Sequence, residues 1–298
     1  MQYSKLGKSD LEISKIGFGC MSLKDDAAAD EKIVKRSLEL GINYFDTADL
    51  YDKGENEIRI GNLLKANRQQ VIIATKAGNK WRADGSGWDW NASKAHILTA
   101  VEGSLKRLQT DYIDLYQLHG GMMEDPIDET IEAFEQLTAQ GKIRYYGISS
   151  IRPNVIREYV KRSNIVSVMM QYSLLDRRPE EEALTLLKDN GIGVVTRGSV
   201  AQGLLVDKPA KPYLDWSAGQ VEAAAAAIHS VTEETGSPAQ TAIRFALQNN
   251  AINSAVIGIR TLAQLEDVAG AADQDLLTDQ ELNILQQSAA PQYYTAHR

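Results

Sequence analysis

Short apolar runs recur along the chain, and nearly every one stops on a polar residue. Residues 42–45 end on Asp46, 71–75 on Lys76 and 112–118 on His119. Residues 145–148 end on Ser149, 165–170 on Gln171 and 194–196 on Arg197, while 254–257 lead into Gly258. Runs this short, rich in β-branched residues, read as parallel strands buried on both faces. Stretches with a helical period lie between them, at 29–40, 55–67, 93–108, 128–140, 153–162, 179–190, 237–250 and 261–272. With a first strand at 15–19 this makes eight strand–helix units. The pattern predicts an α/β fold, a single (β/α)8 TIM barrel over residues 1–298. Residues 6–17 predict an N-terminal β-hairpin closing the far end, and 219–236 and 278–288 predict extra helices outside the repeat. In such a barrel the C-terminal strand ends share one face, and that face carries the chemistry.

Helix starts sharpen this picture. Ser237-Pro238-Ala239-Gln240 and Thr261-Leu262-Ala263-Gln264 each have a capping residue followed three positions later by glutamine, the signature of a capping box. The second follows Gly258-Ile259-Arg260, so free backbone N–H groups and the Arg260 charge are predicted to meet a phosphate.

Composition narrows the partners. The net charge of −8 and the lack of basic blocks argue against nucleic acid or an anionic membrane. No apolar stretch approaches the roughly 18 residues of a membrane span, and the first ten residues are too polar for a signal peptide. Cys20 is the only cysteine, which excludes an intrachain disulfide and fits a reducing cytoplasm. Four scattered histidines make no metal-ligand pattern, so no metal is expected.

No G-x-G-x-x-G fingerprint is present, so a doubly wound dinucleotide fold is not expected. Gly7-Lys8-Ser9 resembles the end of a P-loop but lacks the preceding glycine and strand, and reads as a turn. His119-Gly120-Gly121 resembles an oxyanion loop, yet no nucleophile elbow accompanies it. The strand-end residues suit a different chemistry. Tyr51 lies five residues beyond Asp46. A lysine ammonium beside a phenol favours the phenolate and lowers its pKa, an aspartate holds that lysine charged, and a histidine orients a carbonyl. Asp46, Tyr51, Lys76 and His119 thus suit protonation of a carbonyl oxygen as hydride reaches its carbon.

The segments GINYFDTADLY, IIATKAG, DYIDLYQLHGG, IRYYGISS, MMQYSLLDRR and SPAQTAIRFAL resemble the aldo-keto reductases, over nearly the whole chain. The similarity is to a bacterial branch of oxidoreductases related to aryl-alcohol dehydrogenases. It implies a catalytic tetrad of Asp46, Tyr51, Lys76 and His119, with Tyr51 as proton donor. It also implies a nicotinamide cofactor extended across the barrel mouth. Ser149, Ser150 and Gln171 would hold the carboxamide. Gly203, Leu204, Gly258, Arg260, Gln264 and Asp267 would lie along the pyrophosphate and adenosine end. The chain departs from the family where Ser150 replaces an asparagine, where Arg197 replaces a stacking aromatic and where Asp267 replaces an asparagine. Arg197 is expected to stack on the nicotinamide and to disfavour its oxidised, cationic form. Arg260 favours NADP, with NAD possible.

The substrate implied is a small carbonyl compound. Trp81, Trp88 and Trp90, in one glycine-rich loop, either wall its pocket or form a hydrophobic cluster of their own. Met21, Met122 and Met123 are further pocket candidates. Two rival readings remain: a nicotinamide-binding regulatory or sensor subunit with little turnover, and another barrel enzyme, such as an isomerase or glycosidase, that uses no cofactor.

Overall fold

The structure, a computed structural model, describes residues 1–23, 26–232 and 236–298. A hairpin of β1 (Tyr3–Lys5) and β2 (Glu12–Ser14) opens the chain. Then come β3 (Ile16–Gly19), β4 (Tyr44–Asp46) and β5 (Ile72–Ala77). The loop after β5 carries an antiparallel ribbon, β6 (Asn79–Trp81) and β7 (Trp88–Trp90). Next are β8 (Ile113–Leu118), β9 (Ile143–Ser149), β10 (Ser167–Gln171), β11 (Gly193–Arg197) and β12 (Ile252–Gly258). The eight strands outside the hairpin and ribbon pair in parallel, in chain order, and β12 returns to β3 to close a barrel. Every residue of β5 and β8 is buried, as strands covered by helices on one side and a filled interior on the other must be.

Helices α1 (Ala27–Glu39), α2 (Glu55–Leu64), α3 (Lys94–Leu108), α4 (Ile127–Ala139), α5 (Pro153–Arg162) and α6 (Ala183–Asp189) follow successive strands. Helix α7 (Ala218–Val231) is extra; α8 (Pro238–Leu247) and α9 (Leu262–Gly270) complete the repeat, and α10 (Asp279–Ser288) is appended. The helix predicted over 219–236 ends at Val231, and residues 233–235 of that stretch lie outside the described residues.

The hairpin plugs the barrel floor. Leu6, Leu11 and Ile13 are buried against Tyr44, Leu115, Met169 and Val195, which fill the interior. Gly7 sits at φ +54, and a Cβ there would come 2.3 Å from Val166 O, so only glycine fits this turn. Ser9 Oγ closes it, donating to Leu6 O and accepting from Leu11 N.

The two predicted capping boxes form only in half. Ser237 Oγ accepts from Gln240 N, but the Gln240 amide donates instead to Asp267 O and Oδ1. Thr261 Oγ1 accepts from Gln264 N, while Gln264 Oε1 accepts from Arg260 N, one residue upstream of the cap. Closed boxes occur at Ser217–Gln220 and Thr278–Glu281.

Candidate active site

Register sets the geometry. Asp46 pairs with Ala74 across β4 and β5, and Lys76 follows two residues later, so both share one strand parity. Lys76 Nζ donates to Asp46 Oδ1 at 2.6 Å and to Thr47 O at 2.8 Å. The Lys76 side chain is 1% exposed, so this ion pair is dry. Tyr51 stands in the turn between β4 and α2. Just beyond it Asp52 and Lys53 take left-handed angles, φ 48 and 55, a strain of about 1–3 kcal/mol each that the surrounding fold must hold. Lys76 Nζ lies 5.3 Å from the Tyr51 ring centroid. The His119 ring meets that of Tyr51 edge-on, 5.9 Å between centroids. All four strand-face candidates therefore come together.

Electrostatics at the cluster differ from the expectation in one respect. Burial is the largest influence on Tyr51 and pushes its phenol above its ordinary range, against the pull of Lys76. Loss of hydration around a phenolate outweighs the ammonium's attraction, so Tyr51 stays protonated at neutral pH rather than being poised to ionise. Burial would push Lys76 down, but Asp46 and Tyr51 carry it above its usual value. Asp46 is raised by burial despite that partner. His119 is held down to about 3 by burial, with Lys76 and Arg197 adding to it, and is a neutral imidazole at physiological pH. Behind Lys76, Asp49 is pushed up to about 8 by burial and by the nearby Glu57 carboxylate. Glu57 itself is fully buried and accepts from Thr75 Oγ1 and Arg107 Nε. These shifts predict a pH dependence. The rate is expected to show no imidazole inflection near pH 6.5. A fall in rate is expected instead as the pH rises through about 8, where Asp49 ionises and its charge offsets that of Lys76; Asp49→Asn is expected to abolish it, and a kcat–pH profile of both proteins checks this.

The cofactor candidates divide. Ser149 lines the cavity at the mouth, and its hydroxyl makes no hydrogen bond among the described residues. Ser150 lines the same cavity, and its hydroxyl accepts from Arg152 N at the start of α5. Gln171 is already engaged: its Oε1 accepts from Arg197 Nη1, and its Nε2 donates to Asp176 Oδ2 and Tyr213 OH. Arg197 is exposed and near enough to lower His119. Leu204 is buried in the core, and Gly203 is half-buried in the turn before it. Ile259 N is taken by Ser22 Oγ and Arg260 N by Gln264 Oε1, so fewer backbone donors are free before α9 than the sequence suggests. Arg260 lines a cavity of about 220 Å³ with Ser22, Asp30 and Ile259. Asp267 is held by Gln240. Gly258 is exposed at the end of β12.

A cavity of about 270 Å³ opens beside His119, the member of the cluster that lines it, with Ser149, Trp88, Trp90, Met122, Arg152 and Arg197 around it. Trp90 is clamped there: its ring lies where a Cβ on Gly78 or Gly120 would collide, 2.8 and 3.1 Å away, and its indole N–H donates to Asp125 Oδ1 at 2.7 Å. Trp81 is not among the lining residues; Lys53 Nζ sits 5.2 Å over its ring. Met21 and Met123 stand exposed outside the lining. Arg152, Asp125 through Trp90, and the fully buried Gln117 belong to this region, and Ser22 to the Arg260 cavity; none of them was foreseen. Only the proline after Arg152 hints at any of them, marking a helix start beside a strand end. Among the described residues no group of three or more His, Cys, Asp or Glu could hold a metal ion, and no helix is long and apolar enough to cross a membrane.

Comparison with known proteins identifies the family. An uncharacterized oxidoreductase of Bacillus subtilis, YqkF, is 50% identical over the full length of both chains. The NADH-specific methylglyoxal reductase of Escherichia coli is 33% identical, covering 72% of each. The holo form of the aldo-keto reductase AKR11C1 from Bacillus halodurans superposes with a TM-score of 0.94 at 48% identity, covering 100% of this chain and 99% of that one. The pattern of the aldo/keto reductase family runs from residue 15 to residue 290, spanning the barrel that carries Asp46, Tyr51, Lys76 and His119, and the chain belongs to that family.

Proposed function

We propose that this oxidoreductase reduces aldehydes and ketones to alcohols with NADPH, with Tyr51 as the proton donor. The observation that carries the reading is the dry Lys76–Asp46 ion pair beneath Tyr51, with neutral His119 at the edge of its ring. The residues present fit a nicotinamide cofactor. The open Ser149 hydroxyl offers a partner for a carboxamide, and Arg260 offers charge for a phosphate in a cavity whose Asp30 is paired with Arg59. Bound at the mouth, that cofactor supplies hydride.

The protein supplies the proton. A phenol held above its ordinary pKa remains an O–H at neutral pH and donates to the carbonyl oxygen as negative charge grows there. The Lys76 ammonium then stabilises the phenolate left behind, and Asp46 keeps that ammonium in place. His119 Nδ1 is buried without a partner, which leaves Nε2 to face the substrate. A neutral imidazole carrying its proton on Nε2 donates to the carbonyl without competing as an acid. With all four groups in place, no observation favours a regulatory subunit without turnover.

The test is a panel of aldehydes and ketones offered with NADPH and with NADH. Reduction of several with NADPH is expected; no turnover with either cofactor rejects the reading. The Escherichia coli relative is named for NADH, so the preference for NADPH is a separate claim, and equal efficiency with NADH overturns it. Arg197 beside the ring is expected to disfavour the cationic oxidised form. Arg197→Tyr should therefore tighten NADP⁺ relative to NADPH in fluorescence titrations, and an unchanged ratio excludes that role.

A further inference from the structure

We propose that the preferred substrates are carbonyl compounds carrying an anionic group, a carboxylate or a phosphate, and that Arg152 is the residue that selects them. The inference rests on the carbonyl-reductase reading above and names its substrate class.

The cavity beside His119 has two charged lining residues, Arg152 and Arg197, and no Asp or Glu. Both guanidinium groups are oriented by neutral acceptors. Arg152 Nη1 donates to the Gly121 carbonyl at 2.6 Å, and Arg197 Nη1 to the Gln171 amide oxygen at 3.1 Å. A neutral oxygen fixes direction without cancelling charge. The carboxylates nearby are already committed: Asp176 to Arg178 and Gln171, and Asp125 to Trp90 and Met122 N. Among the described residues, then, neither arginine meets a carboxylate. In a protein with 40 acidic and 32 basic residues, a reaction cavity lined by two cations and no anion is a local reversal of sign. Such a cleft concentrates anions and adds a charge-assisted hydrogen bond on contact.

The two arginines have different duties. Arg197 lies beside Gln171 on the side assigned to the cofactor. Arg152 reaches across the loop that follows His119, with Trp88, Trp90 and Met122 as the apolar wall. Its guanidinium has four further N–H donors after the Gly121 bond, enough for a two-point grip on a carboxylate. The cavity volume of about 270 Å³ sits below the roughly 300–1,000 Å³ of pockets for drug-sized ligands and suits a small bifunctional carbonyl compound.

The test compares 4-carboxybenzaldehyde with 4-formylbenzamide, alike in shape and different in charge, using NADPH and NADH. The expected result is a kcat/KM for the acid about tenfold or more above the amide, carried mainly by KM and reduced by added salt. Arg152→Gln is expected to cut the acid about tenfold more than the amide, and Arg152→Lys to keep part of the preference. Equal or better use of the amide by the wild type overturns the substrate class while leaving carbonyl reduction standing. Equal losses on both aldehydes in Arg152→Gln would mean that Arg152 only pins Gly121, and overturn its assignment. Failure to reduce either aldehyde overturns the reading on which the inference rests.

Discussion

Tyr51→Phe is expected to lower kcat for carbonyl reduction by about 10²–10⁴-fold, the contribution of one well-placed general acid. The ring keeps its edge contact with His119 and its place beside Lys76, because only the hydroxyl is removed. NADPH affinity by fluorescence titration should therefore stay near the wild-type value. KM should change little, since the lost interaction strengthens only as charge develops on the carbonyl oxygen. Turnover at the wild-type rate would remove Tyr51 from the chemistry.

Lys76→Met is expected to damage both stability and activity. It leaves the Asp46 carboxylate buried without its 2.6 Å partner. Breaking a buried pair from one side costs about 3–5 kcal/mol, visible as a lower midpoint of urea denaturation. Activity falls as well, because the phenolate formed at Tyr51 loses its counter-charge. The double variant Asp46→Asn/Lys76→Met separates the two effects. With no charge left to bury, most of the stability should return, yet reduction should stay as slow as in Lys76→Met. A double variant as unstable as the single one would mean that the residues matter for packing rather than as a pair. Recovery of turnover with stability would show that the ammonium has no part in the reaction.

The barrel, and the clustering of Asp46, Lys76 and His119 at its mouth, were legible because both follow from strand periodicity. An apolar run with a polar residue at its end puts that residue at a strand's C-terminus, and parallel closure brings those ends together. Asp46, Lys76 and His119 came from that rule, and Tyr51 from its spacing to Asp46. What could not be read depends on depth and side-chain direction. The phenol of Tyr51 rises rather than falls because burial outweighs Lys76, and burial is set by the whole mouth. Gln240 and Gln264 look alike beside their caps, but one is diverted to Asp267 and the other to Arg260 N. Gln117 alternates inward within an apolar strand and gave no strand-end signal. The ribbon of β6 and β7 hides in a loop whose glycines and charges resemble irregular chain. Its role in setting Trp90 emerges only with Asp125, which is 35 residues away.

The hairpin at the barrel floor has a consequence for traffic. With Leu6, Leu11 and Ile13 seated under Tyr44, Leu115, Met169 and Val195, the floor of the barrel is filled by side chains. On the proposed reaction, the proton given up by Tyr51 is then replaced from the side of the strand C-termini, where the cavity beside His119 opens. On that reading, substrate, product and replacement proton all use the same face of the barrel.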